Sequence, residues 1–117
     1  MLPLPPHMDV YYASTCAPCR VELPTILAAV RDGNDIRILI VDAPRRAMKD
    51  LAAIEPRLAG LARPAVGDDP RARLRRAGDA DGILPFARSV GADGRVCGAW
   101  RGMLTLSRIR ALLSRCD

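Results

Sequence analysis

The sequence predicts an α/β fold: a mixed central sheet flanked by helices on both faces. Three observations predict it. A β-favouring stretch, an amphipathic stretch and a second apolar stretch succeed one another within residues 8–41, the pattern of a right-handed crossover between two parallel strands. The second apolar stretch, IRILIV (36–41), is almost continuously aliphatic, as a strand covered on both faces is. Two further strand-like stretches flank GADG (91–94), whose glycines suit a tight antiparallel reversal. With 117 residues the chain forms one domain around one core.

Each element follows in order. Residues 1–7 hold three prolines and no periodicity, and read as an N-terminal tail preceding a domain over 8–117. His7, the only histidine, is expected there as an exposed residue. MDVYYA (8–13) is a buried strand by its aromatic and β-branched content. A helix follows Cys16, with Val21, Ile26, Leu27 and Val30 as its apolar stripe and Gly33 as its left-handed stop. Pro24 lies within it and removes one backbone bond, which predicts a kink. After IRILIV a helix is expected from Arg45 to Leu61, bent at Pro56. RPAV (63–66) fits either a short strand or a loop. DPRARLRRAG (69–78) has a capping aspartate, a first-turn proline and a closing glycine, hence a short helix. Strands over Leu84–Val90 and Arg95–Trp100 make the hairpin. The last helix is capped by Thr105, with Leu106, Ile109, Leu113 and Cys116 on one stripe.

Composition narrows the function. Half of the residues are hydrophobic and 26% are charged, which marks a globular chain. Only Tyr11, Tyr12, Phe86 and Trp100 are aromatic, so the core is aliphatic. The net charge is +5, and Lys49 is the only lysine. Arg71, Arg73, Arg75 and Arg76 form a basic run, but no aromatic residue interleaves with it and acids surround it. It reads as a solvated helix face rather than a nucleic-acid surface. No apolar stretch approaches the ~18 residues that would span a membrane. MLPLPPHM has neither a basic start nor a long apolar run, so no secretory signal is visible in it.

The chemistry concentrates in STCAPCR (14–20). Cys16 and Cys19 stand three apart, directly after the first strand and opening the first helix. A thiolate at Cys16 meets unpaired backbone N–H groups and the positive end of the helix dipole, and both lower its pKa. Cys19, one turn on, can close a disulfide with it. Pro18 fits the first turn, where its missing N–H is not needed. Zinc would need a second close pair of ligands, which the remaining Cys97, Cys116 and His7 do not form, so no metal site and no cofactor are expected. The pattern is that of a redox couple in which Cys16 attacks and Cys19 resolves.

CAPCRVELP (16–24) resembles the TlpA-like branch of the thioredoxin superfamily, with its C-x-P-C motif, a following basic residue and E-L-P. GILPF (82–86) resembles that family's cis-proline loop, and GADGRVCGAWRG (91–102) its hairpin. The resemblance spans roughly residues 8 to 116 and implies a minimal thioredoxin-like fold. It implies a thiol–disulfide oxidoreductase acting on protein disulfides and dithiols, with a thiol electron donor, in the periplasm or another extracytoplasmic compartment; the sequence itself leaves the cytoplasm open. The Ala17–Pro18 pair resembles reducing members more than oxidising ones. Pro85 would be the cis-proline beside Cys16, and the backbone of Leu84 would pair with an extended substrate segment; otherwise Pro85 is an ordinary edge-strand proline. The alternative is a thioredoxin-like module that binds copper, with Met8 and His7 as the only further ligands, or an interaction module with little redox activity. A peroxiredoxin is not expected, since P-x-x-x-T-x-x-C is absent around Cys16.

The sequence departs from the family pattern at three places. Thr15 stands where tryptophan is common. Val10 stands where thioredoxins bury an acid, and Asp9 should face the other side of the sheet. Glu22 is then either the proton-transfer helper or a plain first-turn carboxylate. The strand and helix that usually open the family's fold do not precede residue 8, which exposes the edge of IRILIV unless RPAV covers it. A monomer or a weak dimer is expected. Cys97 lies near the start of the last strand, and the last helix runs back towards it. Cys97 and Cys116 can therefore form a structural disulfide or remain two buried thiols.

Overall fold

A computed structural model describes residues 5–117. The chain runs β1 (His7–Tyr12), α1 (Ala17–Val21), α2 (Leu23–Arg31), β2 (Asp35–Ile40), α3 (Pro44–Ile54), α4 (Pro56–Leu61), β3 (Ala62–Pro64), α5 (Pro70–Arg76), β4 (Phe86–Val90), β5 (Val96–Arg101) and α6 (Leu106–Ser114). The strands form a five-stranded sheet in the order β3-β2-β1-β4-β5. β1 is parallel to β2, and β2 to β3. β1 is antiparallel to β4, and β4 to β5. The sheet is therefore mixed, as expected from a crossover followed by a hairpin.

Alternation along β1 splits its side chains between two cores. Met8, Val10 and Tyr12 enter the larger one with Ile36, Ile38 and Ile40 of β2. Leu23 and Ile26 of α2, Leu51 of α3, Leu58 of α4 and Ile109 and Leu112 of α6 close over them. Tyr11 points the other way, into a smaller cluster with Val41, Phe86 and Leu74 of α5. One face thus carries most of the helices, and the seven-residue α5 covers part of the other.

Several expectations are corrected. Of the tail expected over 1–7, residues 1–4 lie outside the described residues, and His7 already opens β1. His7 is not exposed: its ring contacts Asp9 at 3.1 Å with 11% of the side chain accessible. The helix after Cys16 does not kink at Pro24. It ends at Val21, and Pro24 sits in the first turn of a second helix. A proline there needs no N–H partner, so the chain restarts a helix rather than bending one. Val21 leaves the apolar stripe and is 68% exposed. The helix expected over Arg45–Leu61 divides at Glu55, which is extended (φ −160°), and Pro56 opens α4. On α6 the buried positions are Ile109 and Leu112, with Leu106 and Leu113 only half-buried; Cys116 lies beyond the helix end.

RPAV divides: Arg63 and Pro64 lie in β3, and Ala65 and Val66 leave it. β3 pairs with residues Ile38–Ile40 of β2, and the Ala65 N–H donates to the Ile40 carbonyl at 2.8 Å. This covers the C-terminal half of the β2 edge. The turn that follows depends on Gly67, at φ +144°. A Cβ there would stand 2.8 Å from Arg73 Cγ and 2.9 Å from the Arg73 backbone nitrogen. Gly67→Ala is expected to destabilise the fold by roughly 1–3 kcal/mol, read as a lower denaturant midpoint at unchanged slope.

Cys97 and Cys116 are joined by a disulfide, with Cα atoms 5.1 Å apart. It ties the start of β5 to the end of α6, at the end of the sheet opposite Cys16. Replacing both cysteines by serine is expected to reduce stability by roughly 3 kcal/mol in the chain-entropy estimate. Denaturation in the absence of reductant measures it, and thiol exchange at Cys16 should be unchanged.

Candidate functional site

β1 ends at Tyr12, and the chain must turn before α1 begins. Ser14 holds that turn: its N–H and hydroxyl both donate to Asp42 Oδ2, at 2.8 and 2.5 Å. The Cys16 N–H donates to the Ala13 carbonyl at 3.0 Å. Cys16 is then the N-cap of α1, and its sulfur accepts the Cys19 N–H at 3.2 Å. The same donor would stabilise a thiolate on Cys16 in the reduced protein. Cys16 and Cys19 are joined by a disulfide, with Cα atoms 5.3 Å apart. Their exposures differ: Cys16 is half-buried beside the exposed Thr15 and Pro18, while Cys19 is 1% exposed.

Glu22 lies one turn after Cys19. It is 1% exposed, one of the most deeply buried polar residues in the described chain. The Leu104 N–H donates to its Oε2 at 3.0 Å, and Oε1 has no hydrogen-bond partner among the described residues. Burial pushes its pKa up to about 7, with the Leu104 hydrogen bond pulling the other way. Val10 is buried in the larger core and offers no carboxylate; Asp9 faces the opposite side, between His7 and Arg88. Among the buried acids, Glu22 is therefore the one close to Cys19 in the chain.

The Leu84–Pro85 peptide is cis. Leu84 packs against both cores, as Cys16 does. The loop that carries them is tied down from β5. The Arg101 guanidinium pairs with the fully buried Asp79 at 3.4 Å and with Asp81, and the Gly102 N–H donates to the Pro85 carbonyl at 3.0 Å. Between this loop, α5 and the β1 end lies a groove of about 490 Å³. Thr15, Leu84, Val41 and Leu74 line it, with Arg71 and Asp81 at its rim.

The expected site residues thus gather at one end of the sheet: Thr15, Cys16, Pro18, Cys19, Glu22, Leu84 and Pro85. Met8 and His7 do not join them. They start β1, roughly 15 Å of strand away from its Cys16 end, and Met8 is fully buried. They supply no further ligand to the thiol pair. Sequence reasoning missed Ser14, Asp42, Asp79 and Arg101. Asp42 had one signal, an acid directly after a buried strand at the end where the cysteines lie. The Arg101 pairs had none, since their partners are remote in sequence.

No known family profile and no curated protein matches this sequence. Solved structures do match in shape. A thioredoxin-related protein from Neisseria meningitidis serogroup B superposes with TM-score 0.76 at 19% identity, over 98% of this chain and 87% of that one. A secreted thiol-disulfide isomerase from Corynebacterium glutamicum gives TM-score 0.68 at 17% identity, over 97% and 71%. A thioredoxin-family thiol:disulfide interchange protein from Chlorobium tepidum TLS gives 0.65 at 20%, over 96% and 79%. The chain has the thioredoxin-like fold, and among these structures it is similar to thiol–disulfide exchange proteins.

Proposed function

We propose that the protein is a thiol–disulfide oxidoreductase that reduces protein disulfides through Cys16 and Cys19. The observation that carries this is the unequal exposure of the pair: a reachable Cys16 sulfur, held by a backbone N–H, in front of a buried Cys19. The Cys16 thiolate attacks one sulfur of a substrate disulfide, forming a mixed disulfide and expelling the other sulfur as a thiolate. Cys19 then attacks Cys16 Sγ, closing the Cys16–Cys19 bond and releasing the second substrate thiol. Glu22, with a pKa of about 7, takes the proton that Cys19 gives up. A thiol donor reduces the pair again. The substrate segment lies extended along Leu84 and Pro85, with side chains in the adjoining groove.

The compartment that suits this chemistry is periplasmic or extracytoplasmic. The Corynebacterium relative is described as secreted, and a second disulfide in this chain fits an oxidising setting. Among the described residues, no helix is long and apolar enough to cross a membrane. The test is reduction of a protein disulfide by a dithiol donor, with and without the protein. Acceleration proportional to protein concentration is expected; a rate equal to the donor alone would overturn the assignment. A titration of the reduced protein with Cu(I) separates the metal-binding alternative, for which tight one-to-one uptake without any exchange activity is the signature.

A further inference from the structure

A second cavity, of about 220 Å³, opens between α5 and the face of the sheet that α5 leaves partly uncovered. Arg73, Arg76 and Arg88 line it, together with Tyr11, Leu39 and Asp9. Two of the three guanidiniums are fixed by backbone carbonyls. Arg73 donates from Nε to Gly67 O at 3.0 Å and from Nη1 to Val41 O at 2.6 Å. Arg88 donates from Nη1 to Ala77 O at 3.0 Å and from Nε to Asp9 Oδ2 at 3.2 Å. Each keeps its Nη2 donors uncommitted among the described residues. Arg76 is exposed at the mouth and has no partner among the described residues.

The one acid among the described residues that line the cavity is already engaged. Asp9 Oδ1 faces His7 at 3.1 Å and Oδ2 faces Arg88. Tyr11 supplies a further donor, because burial chiefly pushes its hydroxyl up to about 12; Arg88 opposes and Asp9 reinforces that shift. Three guanidiniums and one carboxylate thus line a small cavity, an excess of two positive charges, and two of the guanidiniums are held before any ligand arrives. Such preorganised, forked donors match an anion with several oxygens better than a monovalent halide.

We propose that this cavity is a binding site for a phosphate dianion, free or at the end of a small ester, with Arg73 and Arg88 as its fixed walls and Arg76 closing over it. The site is separate from the cysteine pair and does not depend on the redox assignment. The experiment is calorimetric titration of the full chain with inorganic phosphate and with phenyl phosphate, repeated with sodium chloride at matched ionic strength. Saturable one-to-one binding of either phosphate is expected, the tighter of the two identifying the source. Arg76→Ala should weaken it about tenfold or more, while Arg75→Ala, on the same helix but outside the cavity, should leave it unchanged. No saturable heat with either phosphate, an equal response to chloride, or full affinity in Arg76→Ala would each overturn the proposal.

Discussion

Cys16→Ser is expected to lower protein-disulfide reduction by about a thousandfold or more, to the rate of the donor alone, since a serine hydroxyl is not ionised near neutrality and cannot form the mixed disulfide. Its fold should survive, because Cys16 is half-buried at a helix start and serine caps a helix well. Serine in fact accepts the hydrogen bond that the sulfur now receives from the Cys19 N–H. The variant therefore separates chemistry from stability: a melting curve close to that of the reduced native protein, with no turnover. Retained turnover in Cys16→Ser would move the nucleophile elsewhere.

Glu22→Gln is expected to change how stability depends on pH. The folded state holds the Glu22 proton up to about pH 7, whereas the unfolded chain releases it near 4.5. Unfolding therefore releases a proton between these values, and native stability falls as pH rises through that window. The loss is on the order of 3 kcal/mol, at about 1.4 kcal/mol per pKa unit. Below about pH 4.5 both states are protonated and nothing is lost. Glutamine keeps an acceptor for the Leu104 N–H and cannot ionise, so the variant should gain on the native protein from pH 4.5 to 7 and stay ahead above it. Denaturant unfolding across that range measures the difference; parallel curves would contradict the buried, raised carboxyl. If Glu22 takes the Cys19 proton as proposed, the same variant should also slow the second step of exchange.

Much of this was legible in the sequence because it rests on local pattern. The aliphatic run in β2, the glycines of the hairpin and the capping residues Asp69 and Thr105 act within a few residues of themselves, and the structure places them where their periodicity does. The position of Cys16 between strand and helix was likewise a local reading. Breaks at Glu22 and Glu55 were not legible, because a proline inside an apparent helix can bend it or begin another, and tertiary packing decides which. Long side chains were misread for the same reason. Arg73 belongs by sequence to a charged run, yet it reaches Val41, 32 positions away, and is half-buried. Glu22 meets its partner Leu104 across 82 positions, so its burial could be posed as a question but not answered.

The division of labour between the two cysteines is the centre of this account. Cys19→Ser, reduced and mixed with a protein disulfide substrate, should accumulate a one-to-one covalent adduct, and peptide mass spectrometry without reductant should find the substrate cysteine bonded to Cys16. Cys16→Ser under the same conditions should give none. An adduct through Cys19 in the Cys16 variant, or no adduct in either, would contradict the assignment of Cys16 as the attacking thiolate and Cys19 as the thiol that resolves it.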